Sequence, residues 1–237
     1  MKNPALHIII FILLGILFTS CGPEKVNNND FFVEGRIQNT DIKKMYAVYH
    51  GIDDSIYTDT VSISEGGQFQ LFGKIDSVGV ITFLPDDKHP VSVFVKPGDN
   101  ISVNIDAKHP KLAQITGGDK LNKELGKFKK SVKPILLDKE NIDNAITESR
   151  SDRKVNSAME ETLKPKLANL NHSLTLSIEQ YIKKNPQSLV SAVILSDYTC
   201  LEEKTERTER IISMLNEPAK SFYLVDCMKL KACLDLE

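Results

Sequence analysis

Between Phe31 and Ile115 the apolar residues fall at every second position, and this alternation restricts the first half of the chain more than any other feature. One face collects Phe31, Val33 and Ile37 in "FFVEGRI", Val61 and Ile63 in "DTVSIS", and Phe69, Leu71 and Ile75 in "GQFQLFGKI". Successive side chains of a strand point to opposite faces, so the pattern calls for sheets with one buried and one wetter face. Farther on, Val91, Val93 and Val95 alternate with polar or larger residues, and Ile101, Val103 and Ile105 alternate with Ser102, Asn104 and Asp106. Gly66-Gly67 closes one strand, and Pro97-Gly98 supplies the fixed φ and the permissive φ of a type II turn. With "KMYAVYH" and "GVITFLP" added, about seven or eight short strands follow one another at roughly ten-residue spacing, as in an antiparallel sandwich or barrel.

From Asp119 the period becomes helical. Leu121, Leu125, Phe128, Val132 and Ile135 step by four and three residues along one stripe, with lysines filling the opposite face. A second stripe runs through Val155, Met159, Leu163, Leu167, Leu170, Leu174, Ile178 and Tyr181, with Pro165 inside it expected to kink or break the helix. In "YIKKNPQS", Lys183 and Lys184 suit a helix C-terminus, Asn185-Pro186 ends it, and Ser188 can cap the next. The expected class is α+β: an antiparallel β-sandwich or barrel over 31–117, then an all-helical region of about five segments over 118–237.

The segment ahead of the strands reads as an address. Ile8 to Phe18 is apolar apart from Gly15 and would rise only ~17 Å as a helix, against roughly 30 Å of hydrocarbon, so it cannot span a bilayer. Lys2 before it and Thr19-Ser20 after it give the order of a secretory signal over 1–20. Leu17-Phe18-Thr19-Ser20-Cys21 resembles a bacterial lipobox, although Phe18 departs from the usual aliphatic residue. The resemblance implies cleavage before Cys21 and a thioether-linked diacylglycerol on its Sγ. An ordinary signal cleaved near Ser20, with Cys21 a bystander, is the other reading. Two or three acyl chains anchor stably where one holds marginally. Residues 21–30 carry Gly, Pro, Asn and charge with little to pack, the composition of a flexible tether. The expected location is the cell envelope, on the outer membrane of a Gram-negative bacterium, with the body facing the periplasm or the exterior.

Charge is balanced, with 26% charged residues and a formal net charge of -2, which argues against a nucleic-acid partner. With Cys21 lipidated, Cys200, Cys227 and Cys233 remain; they read as ordinary buried thiols, although Cys200 could pair with one of the others across two helices. Cys227 and Cys233 stand six residues apart in one helical segment, ~9 Å along its axis, too far for a disulfide. His7, His50, His89, His109 and His172 share no metal-ligand spacing, so no metal is expected. Asp53-Asp54 and Asp86-Asp87 read as solvated turn residues rather than a calcium loop. Neither glycine pair forms a nucleotide loop, and no serine sits in G-x-S-x-G. No catalytic residue and no cofactor is assigned.

"FFVEGRIQN", "GGQFQLFGKI", "VFVKPGDNISVNID", "ITGGDKLNKELGKFKK" and "YIKKNPQSLVSAVIL", in this order, resemble the β-rich amino-terminal domain and following helices of thioredoxin-like lipoproteins of the ResA or TlpA type. In complete members these parts precede a thiol-disulfide oxidoreductase domain. That chemistry needs Cys-x-x-Cys at a helix start, and this chain has no such motif and no Trp, so no redox role carries over to any residue here. The resemblance implies an accessory domain without its redox half. The expected function is therefore non-catalytic binding or scaffolding, for an envelope ligand. The alternative is an accessory subunit or remnant of a thiol-disulfide oxidoreductase, serving a separate thioredoxin-like protein. A glycan or peptide ligand would be favoured by aromatics such as Tyr46 or Phe72 exposed on a polar sheet face.

Overall fold

A computed structural model of the chain describes residues 29–52, 55–86, 89–151, 157–198 and 206–234. The expected signal, Cys21 and most of the tether lie outside them, as do Asp53, Asp54, Asp87, Val155, Cys200 and the side chains of Met159 and Cys233.

Two four-stranded sheets face each other. Sheet A has the order β4 (Gln68–Lys74), β1 (Asp30–Gln38), β7 (Asn100–Asp106), β8 (Gln114–Gly117). Sheet B has the order β3 (Ile56–Ser62), β2 (Lys44–His50), β5 (Gly79–Leu84), β6 (Val91–Val95). The two sheets do not close on one another, so the architecture is a sandwich and not a barrel. Every alternating residue named above as inward is buried, from Phe31, Val33 and Ile37 to Ile101, Val103 and Ile105. One pairing departs from the antiparallel expectation: β1 runs parallel to β7, with Val33 opposite Ile101 and Ile37 opposite Ile105. Alternation fixes the buried face of a strand but is the same for either direction of its neighbour.

The Lys96–Asp99 turn has the expected form. Gly98 has φ 82°, and the Asp99 N–H donates to the Lys96 carbonyl at 3.1 Å. Gly67, φ 77°, sits where a Cβ would lie 2.1 Å from the Ile37 carbonyl oxygen, so the β3–β4 turn requires glycine there.

Five helices follow among the described residues: α1 (Lys120–Ser151), α2 (Ser157–Lys184), α3 (Leu189–Tyr198), α4 (Glu206–Ser213) and α5 (Tyr223–Leu234). Pro165 does not break α2, and Pro134 likewise lies inside α1. In both cases the residue four earlier, Glu161 or Lys130, is exposed, so water can satisfy the carbonyl that loses its donor. Ser188 caps α3 as expected, its Oγ accepting from the Val190 N–H at 3.3 Å. The buried α1 stripe is Leu125, Phe128, Val132 and Leu136, with Leu121 and Ile135 at its margin.

These helices pack on the outer face of sheet B, because β5 and β6 are apolar on both sides. Val80 and Phe94 point away from the sandwich and join the helical core with Leu125, Phe128, Ile178 and Val190. The Tyr223 hydroxyl donates to the Val80 carbonyl at 2.9 Å, and its ring stacks on His50 at 3.9 Å, docking α5. The Asn122 side chain closes the outer edge of β6: it accepts from the Phe94 N–H and donates to the Phe94 carbonyl, each at 2.9 Å, with all three groups buried. Asn122 thus stands in for a fifth strand. Replacing it with Ala leaves two buried backbone groups unpaired, and the expected loss is about 2–4 kcal/mol. Urea unfolding should show a lower midpoint with an unchanged slope.

Candidate functional site

Among the described residues the helices cover β5 and β6 and leave the β3–β4 side of the sandwich bare. There an open groove of about 1120 Å³ runs over β4 and its neighbour β1 and reaches across to β3. Its floor on sheet A is a ladder of hydrogen-bonding side chains built by the strand register. Gln70, Glu34 and Ser102 form one row, and Gln68, Arg36 and Asn104 the next. A third row carries Phe72, Phe32 and Asn100, with the two rings 4.4 Å apart. Phe72 is 69% exposed. Such an aromatic on a polar sheet face is what the alternation of "QFQLFGK" allows, since Phe69 and Leu71 take the inward positions and leave Phe72 outside.

The β3 wall of the groove carries Asp59. Its carboxylate accepts from the Tyr49 hydroxyl at 2.9 Å, and the Tyr49 ring stacks on Tyr57 at 5.5 Å. Burial, then the Asp59 carboxylate, pushes the Tyr49 hydroxyl well above its ordinary range, so it stays a donor. Arg36 spends one N–H on the Gly66 carbonyl at 3.1 Å. Among the described residues neither Glu34 nor Asp59 has an ion-pair partner. Tyr46, 54% exposed, lies on the outer face of sheet B, so it and Phe72 are both exposed but belong to different surfaces.

Other residues singled out in the sequence are scattered. His50 stacks on α5, His89 folds onto Asp86 in a turn at 2.9 Å, and His109 meets Glu140. Among the described residues no three His, Cys, Asp or Glu side chains converge as for a metal, and no helix is long and apolar enough to cross a membrane. Cys227 is exposed, contrary to the expectation of a buried thiol, because it lies off the face that carries Val225 and Met228.

A second group of titratable residues lies at the seam between β6, α1 and α3, and the sequence pattern missed it. Lys129, read as one of the lysines on the open face of α1, is only 6% exposed, because it adjoins Phe128 at the edge of the buried stripe. Asp197 accepts from the Ser92 hydroxyl at 2.8 Å. Burial raises the Asp197 carboxyl to about 6, against Ser92, Lys129 and Lys111, which lower it. Burial lowers Lys129 to about 8, against the attraction of Asp197. The outward position of Ser92 in a strand of valines was the one signal available, since a hydroxyl facing a helical core requires a partner.

Residues 31–125 match the family described as Domain of unknown function (DUF4369), a span that takes in the eight described strands, all but Asp30 of β1, and the start of α1. No curated protein matches the chain. Two solved structures are similar to part of it. A cell-adhesion candidate from Bacteroides ovatus is 7% identical over 38% of this chain and 43% of its own, with a TM-score of 0.28. A DUF3823 family protein from Parabacteroides merdae is 14% identical over 34% of this chain and 46% of its own, with a TM-score of 0.25. The chain thus spans less than half the length of either.

The Asp197 environment has a measurable consequence. Its folded pKa lies above the unfolded value of 3.8, so the contribution of Asp197 to stability is full below that value and is lost as pH rises through about 6. Lys129 works the other way: its contribution is full above 10.5 and is lost as pH falls through about 8. Asp197→Asn keeps an acceptor for Ser92 and removes the titration. The stability of this variant relative to the parent should rise by about 3 kcal/mol between pH 3 and pH 7, read from urea unfolding at each pH.

Proposed function

We propose that the protein is a non-catalytic binding module of the cell envelope, held to a membrane by lipid on Cys21 and presenting the β3–β4 side of its sandwich to a ligand. The observation that carries the binding half is the groove: a ladder of amides, hydroxyls and charges ending at the exposed Phe72, whose ring packs on the half-buried Phe32, on a side of the sandwich that the described helices leave bare. Such a surface offers many orienting hydrogen bonds and one apolar platform, and it suits capture of an extended ligand better than a reaction at a point. The location half rests on the resemblance of residues 17–21 to a lipobox. The lipid would hold the body near the bilayer while the tether lets it turn.

Two measurements test this reading. Cys21→Ala should release the exported protein from the membrane fraction, and mass spectrometry of the parent should find an acylated amino-terminal cysteine. An intact leader or an unmodified cysteine would overturn the anchor. The purified protein should leave insulin disulfides intact. Reduction of insulin through any of Cys200, Cys227 or Cys233 would instead favour the role of subunit or remnant of a thiol-disulfide oxidoreductase.

A further inference from the structure

Sheet edges carry unpaired backbone groups that another chain can pair with, and folded proteins blunt them with proline, lysine, bulges or covering elements. Three of the four edges here are managed. Asn122 closes β6, and β8 is four residues long. In β4 the Gln68 N–H and carbonyl are both taken by Ser64, and the other end is the charged Lys74. Among the described residues the edge of β3 has none of these devices. Gly51 donates to Ser55 and Ile63 to Lys43, each at 2.9 Å, so in the β2–β3 register Tyr57, Asp59 and Val61 turn their backbone groups towards β2. Ile56, Thr58, Thr60 and Ser62 therefore turn theirs outward. Among the described residues none of these four outward-facing residues has a hydrogen-bond partner. The strand is also rich in residues that favour pairing: Ile56, Tyr57, Thr58, Thr60 and Val61 are β-branched or aromatic. Ile56 is 64% exposed.

We infer that this edge takes an extended peptide by strand addition, with a basic side chain of the peptide set opposite Asp59. The inference rests on the binding reading above and names its ligand class. A row of outward N–H and C=O groups at strand spacing matches another extended backbone. An added strand would send alternate side chains into the groove, where Asp59 and Glu34 lack ion-pair partners and, against Arg36 on the same floor, leave the lining with a net negative charge. A second copy of the chain fits worse. Pairing two whole β3 strands about a two-fold axis centres on Asp59 and sets carboxylate against carboxylate. A seven-residue edge is also well short of the ~20 residues per side that stable dimers use. Asp59 thus admits a basic peptide and discourages self-pairing.

The test uses the full chain in detergent, labelled for amide NMR, with the blocked heptapeptide Thr-Val-Thr-Lys-Thr-Val-Thr and versions carrying Arg, Gln or Glu at the centre. Saturable binding is expected, with the Ile56, Thr58, Thr60 and Ser62 amides exchanging fast in the free protein and slowed in the complex. Lys and Arg peptides should bind about fivefold tighter than the Glu peptide, and Asp59→Asn should erase that preference. N-methylation of one edge-facing peptide nitrogen, which leaves the protein untouched, should weaken binding about fivefold or more. If a mixed oligosaccharide set shifts Phe72 and Asn104 while no peptide protects β3, the peptide inference fails and the binding reading stands. If neither set binds at millimolar concentration, both fail. Protection of the β3 amides that grows with protein concentration alone would replace the peptide with a second copy.

Discussion

The β5–β6 half of sheet B buries apolar residues on both faces, and the arrangement of the rest of the molecule follows from that. Met45, Ala47, Ile81, Phe83, Val91 and Val93 fill the space between the sheets, while Val80 and Phe94 face the other way. At roughly 25 cal/mol per Å², leaving a phenylalanine and a valine in water would forfeit several kcal/mol, a large part of a domain's net stability. The helices supply the cover, and they must do so where β5 and β6 lie. Lateral closure comes with it, because the first turns of α1 bring Asn122 to the β6 edge in the same stretch that brings Leu125 into the core that Phe94 joins. The family match ends at residue 125, so it includes both of these contacts. The strands and the start of α1 therefore read as one packing unit, to which the later helices add bulk.

Cover on one flank leaves the other bare. β3 and β4 are the far edges of their sheets, and none of the described helices has its main packing contacts with them. The protein therefore separates its polar chemistry. Charges near the helices, Lys129 buried and Asp197 half-buried, are desolvated at a cost and tied to Ser92 or to one another's field. Charges near β3 and β4, Glu34, Arg36 and Asp59, stand at the surface beside unspent backbone groups. The first set restrains how the helices seat on the sheet; on the proposed reading the second is what a ligand would meet.

Much of this was legible in the sequence, and the reason differs from element to element. Period-two alternation named the inner residues because a strand has only two faces, and Gly98 and Ser188 were readable because their local conformations need those residue types. The parallel β1–β7 pair was not readable, since side-chain alternation carries no direction. Pro165 misled because the cost of a helical proline depends on whether water reaches the orphaned carbonyl, a tertiary property. Lys129 misled for a similar reason: one residue beside a buried stripe, a lysine stem can lie on either side of the boundary. The groove was half legible. Phe72 was marked as an outward aromatic, but its neighbours Glu34 and Ser102 come from strands distant in sequence.

On the lipid-anchored reading, the entry point of the chain gives the groove a direction. β1 begins at Asp30, which pairs with Lys74 at the end of β4, and Phe32 and Phe72 lie one step further in. The tether thus joins the body at the aromatic end of the groove, while Arg36 and the Gly66-Gly67 turn mark the far end. A ligand lying along the strands would have its apolar contact nearest the membrane and its charged contacts farther out. The helical cover of sheet B then has two consequences from one cause: it shields the apolar outer face, and by lying on that side alone it leaves β3 and β4 exposed.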